Sequence, residues 1–517
     1  MQGMPMSLAR IYSRAQTGVE APDVLVEVHL SGGLPSLSLV GMPEAAVRES
    51  KDRVRSALMT SDLEFPAKRI TISLAPADLP KDGGRFDLAI ALGILAASGQ
   101  VPPERLDNCE FIGELGLNGD LLPVTGALPT AVQCALRGRT LIVPVANGGE
   151  VALSERCNSR MAANLREVVA YLRGEVELPL ATADVDSPLT AQRKPADLRD
   201  VRGQPQARRA LEIAAAGEHN LLFIGPPGTG KTMLASRLPG ILPPMSEDEA
   251  LVSASVYSVA GTGRDWLQHW RERPFRAPHH TASGVALVGG GTRPRPGEIS
   301  LAHGGVLFLD ELPEFSRAVL DVLREPLESG RIVISRAQRT LTFPARFQLV
   351  AAMNPCPCGY FGDASGRCRC NEEQVRRYQS QTSGPLLDRI DLHVEVPAIP
   401  TALLQQSQPG ESSAEVQQRV LAARQRQQQR QGCSNAMLEG EQRDQMCVLG
   451  SAEQAWLLQA CERLQMSARG YHRVLKLART IADLAGAEWI GREHLLEAIG
   501  YRSLDRFSAP ARQDNGG

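Results

Sequence analysis

The chain has 517 residues, 43% of them hydrophobic and 22% charged, with a formal net charge of −2. These values describe an ordinary globular chain of about three domains. They exclude a global positive field for nucleic acid, so any such surface has to be local, and aromatics at only 4% argue against a base-stacking platform. No apolar run reaches the roughly 18 residues of a membrane span, and residues 1–10 lack the apolar stretch of a signal peptide. The cytoplasm is the expected location, with no membrane partner. Of the 10 cysteines, four cluster as Cys356, Cys358, Cys368 and Cys370. In a cytosolic chain such a cluster points to metal before disulfides.

Residues 1–175 read as an α/β domain. Residues 24–30 (VLVEVHL) alternate like a half-buried strand. Residues 43–58 read as an amphipathic helix, 69–74 as a strand, and 86–97 (FDLAIALGILAA) as a helix apolar nearly all round, hence buried. A short strand at 141–144 and a helix at 165–172 follow. Two stretches, 79–88 (LPKDGGRFDL) and 113–126 (GELGLNGDLLPVTG), resemble the proteolytic domain of Lon-type proteases, a ribosomal S5 domain 2-like fold. That family carries a serine where Arg85 stands here and a lysine where Leu128 stands. Without nucleophile and base there is no covalent acyl route, so the resemblance implies a fold and not a peptidase.

Residues 176–196 hold prolines and no periodicity and read as a linker. Residues 197–204 (DLRDVRGQ) resemble the box that opens many AAA+ modules and lies against adenine. The apolar run 221–224 then leads into G-x-x-x-x-G-K-T: Gly225, Pro226, Pro227, Gly228, Thr229, Gly230, Lys231 and Thr232. Strand, glycine-rich turn and helix are the context in which backbone N–H groups cradle phosphate. Lys231 would reach the β- and γ-phosphates of ATP and Thr232 would hold Mg²⁺. In residues 304–315 (GGVLFLDELPEF) a buried strand ends in Asp310, a second Mg²⁺ ligand, and Glu311, the general base for the attacking water. The gap between the two motifs exceeds a simple crossover, and residues 255–300, with RAPHHTAS at 276–283, are the candidate insertion.

An amphipathic helix is expected over 317–327. Residues 331–343 pattern as a β-hairpin with Arg336 and Arg339 near its tip. The strand at 347–352 ends near Asn354, where a polar side chain can orient the lytic water. The knuckle C-x-C-x₉-C-x-C over 356–370 offers Zn²⁺ four thiolates on two tight turns; a reduced, metal-free cysteine loop is the alternative. Arg389 stands where a ring ATPase presents an arginine finger to its neighbour. Residues 413–431, rich in Gln and Arg, are either a helix or a flexible connection. Residues 450–505 read as helices with short loops; Arg469 opens one of them and can meet phosphate. Residues 508–517 read as a disordered tail.

In order, these motifs are those of an AAA+ module. The long insertion and the hairpin before Asn354 resemble the branch with magnesium chelatase I subunits and replicative MCM helicases. The whole chain resembles the YifB/ComM family of magnesium-chelatase-like ATPases, through the Lon-like stretches, CPCG and LLDRIDLH in the core, and SARGYHR beyond it. The resemblance implies a Lon-protease-like N-terminal domain, a P-loop AAA+ α/β core over 197–400 with a pre-sensor hairpin, and a C-terminal helical lid over 401–507. It also implies a homo-oligomer, a hexameric ring that uses ATP and Mg²⁺ to drive branch migration of branched or single-stranded DNA during natural transformation. The alternatives are a chelatase-like remodelling ATPase acting on a protein or metal-insertion partner and, less favoured, an ATP-dependent protease.

Overall fold

The computed structural model describes residues 8–41, 45–183, 196–291, 294–336, 339–363, 366–399 and 410–502. The first two residues of the expected 43–58 helix, most of the linker (184–195), the hairpin tip (337–338), the start and end of the expected lid (401–409 and 503–507) and the 508–517 tail lie outside them, as do the side chains of Arg336 and Arg339. The chain forms two compact units. One comprises Met1–Ala191, Glu247–Trp270 and Ser335–Phe343; the other comprises Gln192–Ser246, Arg271–Ile334 and Pro344–Gly517.

The first unit is built on a seven-stranded mixed sheet. Its order is Ser36–Val40, Arg69–Ala75, Asp23–Ser31, Leu8–Arg14, Cys109–Phe111, Thr140–Pro144 and Ser159–Ala162. Leu8–Arg14 and Arg69–Ala75 run antiparallel to Asp23–Ser31, and the outer pairs are parallel. Alternation does what the pattern requires: Val24, Val26 and Val28 all point into the core. The helix Asp87–Ala97 is buried on every side and lies on the central strands. Gly93 permits that approach, since a Cβ there would fall 2.5 Å from Cγ2 of Val28.

The later segment Glu247–Ala260 is a helix of this same unit. It packs on the helix Ala127–Arg137, where Leu251 and Ala254 form a small core with Leu128 and Leu153. Ser258 ties the seam: its carbonyl accepts the Gly126 N–H at 3.1 Å, and its hydroxyl donates to Glu150 at 2.6 Å. The positions of the absent Ser–Lys pair are thus filled. Leu128 is part of this core, and Arg85 is buried with its guanidinium on Gln16 (3.3 Å) and Thr130 (3.2 Å). Burial lowers the Arg85 pKa to about 10 against the raising charges of Asp82 and Glu150.

The second unit holds a five-stranded parallel sheet in the order Phe275–Arg276, Val306–Leu309, Gln348–Met353, Leu221–Ile224 and Leu392–Glu395. The three central strands are buried along their full length and apolar apart from Gln348, as a parallel sheet covered on both faces demands; Gln348 donates to the carbonyls of Ala214 (2.9 Å) and His219 (2.6 Å). The single helix expected over 317–327 is two short ones, Arg317–Asp321 and Arg324–Ser329. Pro326 is the reason: it lacks an N–H and its ring crowds the carbonyl four residues back, so it is tolerated only in a helix's first turn. The Gln- and Arg-rich stretch resolves as the helix Ser413–Gln431, started by a capping box between Ser412 and Glu415. Its buried Gln427 is satisfied by the Ala216 carbonyl and the Asn435 N–H, each at 3.0 Å. Helices Ser451–Arg463, Ala468–Ala485 and Arg492–Gly500 complete the unit.

A buried polar chain joins sheet and helices. His219 Nδ1 lies 3.1 Å from Asp391 and its Nε2 lies 2.8 Å from Thr480. Burial alone would raise the Asp391 pKa, but the hydrogen bond and charge of His219, with Arg473 and Lys476, hold it down at about 2. A depressed carboxylate stabilises the fold above its unfolded pKa, and that stability is lost as pH falls through the folded one. We therefore expect stability to decline between about pH 4 and pH 2, by about 2 kcal/mol from this group. Thermal melts of wild type and Asp391→Asn across that window check it; parallel acid slopes would remove Asp391 from the account.

Candidate nucleotide site

In a parallel sheet all carboxyl ends lie along one edge, where ligands bind. The register here pairs Ile224 with Met353 and Leu309 with Ala351. Residues 225–232, Asp310–Glu311 and Asn354 therefore leave three neighbouring strands at the same edge. Gly225 is required by a close approach, since a Cβ would fall 2.1 Å from the Val396 carbonyl, and Gly228 and Gly230 turn with φ of +77° and +87°. The helix that follows, Lys231–Ala235, has only 5 residues, so its dipole is that of a single turn.

Lys231 is buried, and its ammonium donates to the carbonyls of Gly225 (2.7 Å) and Pro226 (2.9 Å) and to Oδ1 of Asn354 (3.2 Å). Burial lowers its pKa, opposed by Asp310 and Glu311. Thr232 Oγ1 donates to Oδ2 of Asp310 at 2.6 Å. A hydroxyl and a carboxylate in contact across two motifs are the hard oxygen ligands Mg²⁺ takes, so the donor set fits the ion. Glu311 sits at φ +53°, ψ +48°, a left-handed conformation costly for a non-glycine residue and frequent at functional sites. Its N–H is held by Asp310 Oδ1 at 3.0 Å, and its half-exposed carboxylate pairs with Nδ1 of His280 at 3.0 Å. His280 was not singled out among the site residues from sequence. The signal was present in the paired histidines just beyond the edge strand Phe275–Arg276, but nothing local connects them to Glu311.

Arg389 and Arg469 both belong to the second unit and stand near one another. Arg389 pairs with Glu328 and donates to the Pro385 carbonyl at 2.6 Å. Burial lowers its pKa, as do the charges of Arg324, Arg469 and Arg473. Arg469 is largely exposed and stands 3.7 Å from Asp388. None of these carboxylates belongs to the phosphate loop or the acidic strand end. The hairpin strands are Arg331–Arg336 and Arg339–Pro344, with Ile332, Ile334 and Phe343 buried; Gly18 touches the second, where a Cβ would fall 2.8 Å from the Thr342 carbonyl. The thiols of Cys356, Cys358, Cys368 and Cys370 converge, all within 4.8 Å of one another. Among the described residues no helix is long and apolar enough to cross a membrane.

A parallel sheet whose carboxyl edge gathers a glycine-rich phosphate loop and an acidic strand end defines a P-loop α/β protein. Comparison narrows the class. Three family models match: "Magnesium chelatase, subunit ChlI" over residues 197–404, "Subunit ChlI of Mg-chelatase" over 26–147, and "Magnesium chelatase, subunit ChlI C-terminal" over 410–502. The chain is 53% identical to the YifB protein of Salmonella typhimurium over 506 residues, covering 97% of this chain and 98% of that one. It is also 53% identical to the competence protein ComM of Haemophilus influenzae over 505 residues, covering 97% and 99%. A more distant likeness, 24% over 159 residues, is to Lon protease 2 of Bacillus subtilis, covering 30% of this chain and 29% of that one. The chain belongs to the YifB/ComM family of magnesium-chelatase-like AAA+ proteins.

Proposed function

We propose that this protein is a cytoplasmic ring ATPase that uses ATP and Mg²⁺ to move DNA, acting in branch migration during natural transformation. The observation that carries the ATPase reading is the convergence of Lys231, Thr232, Asp310, Glu311 and Asn354 at one sheet edge. Lys231 would leave its loop carbonyls for the β- and γ-phosphates, Thr232 and Asp310 would hold Mg²⁺, and Glu311 would take the proton of the attacking water while Asn354 orients it. Mg²⁺ supplies charge neutralisation on the phosphates. The DNA reading is supported by the name of the Haemophilus relative, a competence protein. It is supported too by a hairpin placed one strand before Asn354, so that nucleotide state and hairpin are covalently close. A second reading, a chelatase-like remodelling motor, draws on the descriptions of the matching family models. Turnover measured with and without forked DNA separates the two, stimulation favouring the first.

On this reading Arg336 and Arg339 contact DNA phosphates without reading sequence. Replacing both with alanine should weaken forked-DNA binding equally for different sequences and reduce the salt slope by about one per lost contact. Turnover without DNA should persist. Unchanged affinity and slope in a salt titration of the folded double variant would take the hairpin off the DNA path.

A further inference from the structure

A loop joins the strand Gln348–Met353 to the helix Glu372–Gln379. Among its described residues from Pro355 to Cys370, only Cys356 and Gly359 are buried, and Phe361 is exposed. A glycine-rich loop of this size needs another source of order. Its four thiols supply a centre. The Cys356 sulfur lies 3.3 Å from that of Cys358 and 3.9 Å from that of Cys368, and the Cys358 and Cys368 sulfurs are 3.7 Å apart. Four sulfurs at Zn–S bonds of about 2.3 Å on a tetrahedron are separated by about 3.8 Å. A disulfide would use two of them and leave the convergence of the others unexplained.

The surroundings suit thiolates. The Cys358 sulfur accepts the N–H groups of Tyr360 and Arg369, and the Cys368 sulfur accepts that of Cys370; such bonds orient the ligands of a metal and disperse their charge. Both ends of the loop are anchored. Gln379 donates to the Pro355 carbonyl at 3.1 Å, and Asn371, just past Cys370, caps the next helix. Arg367 lies over the Tyr360 ring at 4.2 Å and pairs with Asp363 at 3.5 Å.

The first turn of this loop is also part of the nucleotide site's wall. Gly359, at φ +86°, lies so near the phosphate loop that a Cβ would fall 2.7 Å from Cδ of Pro227 and 3.9 Å from Cγ of Asn354. Asn354 in turn receives the Lys231 ammonium. We propose that Cys356, Cys358, Cys368 and Cys370 bind one Zn²⁺, and that this metal holds the Gly359 turn against Pro227 and Asn354, so that metal loading sets the affinity for MgATP. The second half rests on the nucleotide reading above; the first does not.

The test uses the full chain purified without chelator. Elemental analysis should find about one Zn²⁺ per chain, and Cys368→Ser with Cys370→Ser should lose it while circular dichroism keeps the helix content. MgATP affinity by calorimetry should fall about tenfold in the double variant and in metal-stripped wild type, and return when Zn²⁺ is added back to the latter. Gly359→Ala should keep its Zn²⁺ yet show weakened MgATP binding, because it displaces the turn and not the ligands. Wild type without metal, or with its thiols paired as disulfides, overturns the site. Zn²⁺ whose removal leaves MgATP affinity unchanged overturns the coupling. Zn²⁺-loaded protein that binds no MgATP overturns the coupling together with the nucleotide reading, and leaves the metal site standing.

Discussion

Glu311→Gln is expected to keep ATP bound and to lower its turnover by about 10² or more, the usual contribution of a positioned general base. An amide cannot accept the proton of the attacking water, while the phosphate cradle of residues 225–232 and the Thr232–Asp310 pair stay intact. Lys231→Ala should behave differently and lose binding itself, because it removes the buried ammonium held at the loop carbonyls. Equilibrium binding of a fluorescent ATP analogue beside single-turnover hydrolysis distinguishes the two outcomes. In the structure one oxygen of the Glu311 carboxylate is engaged by His280, and the other would be the one to take the proton. Wild-type turnover in Glu311→Gln would mean that another group is the base.

Arg389→Ala should cost about 10³–10⁵ in turnover with little change in ATP affinity, the range of an arginine finger supplied by a neighbouring subunit. Within one chain Arg389 is occupied by Glu328 and stands among Arg324, Arg469 and Arg473. Each of these arginines has a carboxylate nearby, Asp321, Asp388 and Asp391 beside Arg324, Arg469 and Arg473, so a neighbour's triphosphate would have to draw Arg389 from Glu328. On the ring reading proposed above the finger acts across an interface, so mixing Arg389→Ala with Lys231→Ala should restore part of the turnover: each mixed pair would contain one interface with both residues intact. Co-assembled subunits that recover nothing would rule out a shared site.

What the sequence by itself determined are the features decided by neighbours along the chain. The run 221–224 followed by glycines and Lys231–Thr232 reads as strand, turn and helix because apolar period, positive-φ glycines and helix start are all local. The alternation through Val24, Val26 and Val28, the all-round apolar helix Asp87–Ala97 and the spacing of the four cysteines belong to the same kind. The absence of a Ser–Lys pair is a fact of composition at Arg85 and Leu128. Full-length identity to YifB and ComM relatives places the family that these motifs suggested.

Only the tertiary structure decided the rest, since each case turns on contacts between residues far apart in the chain. Nothing in Glu247–Ala260 shows that it belongs with the first unit; that follows from Leu251 and Ala254 meeting Leu128 and Leu153. The Gln-rich helix was undecidable from composition because its buried face carries Gln427, whose partners Ala216 and Asn435 come from other segments. His280 beside Glu311, Arg389 beside Arg469, and Gly359 against Pro227 are likewise pairings that chain folding makes. A residue's type and spacing state what chemistry it can do, but which partner holds its charge or fills its Cβ space is settled only when distant strands and loops are packed together.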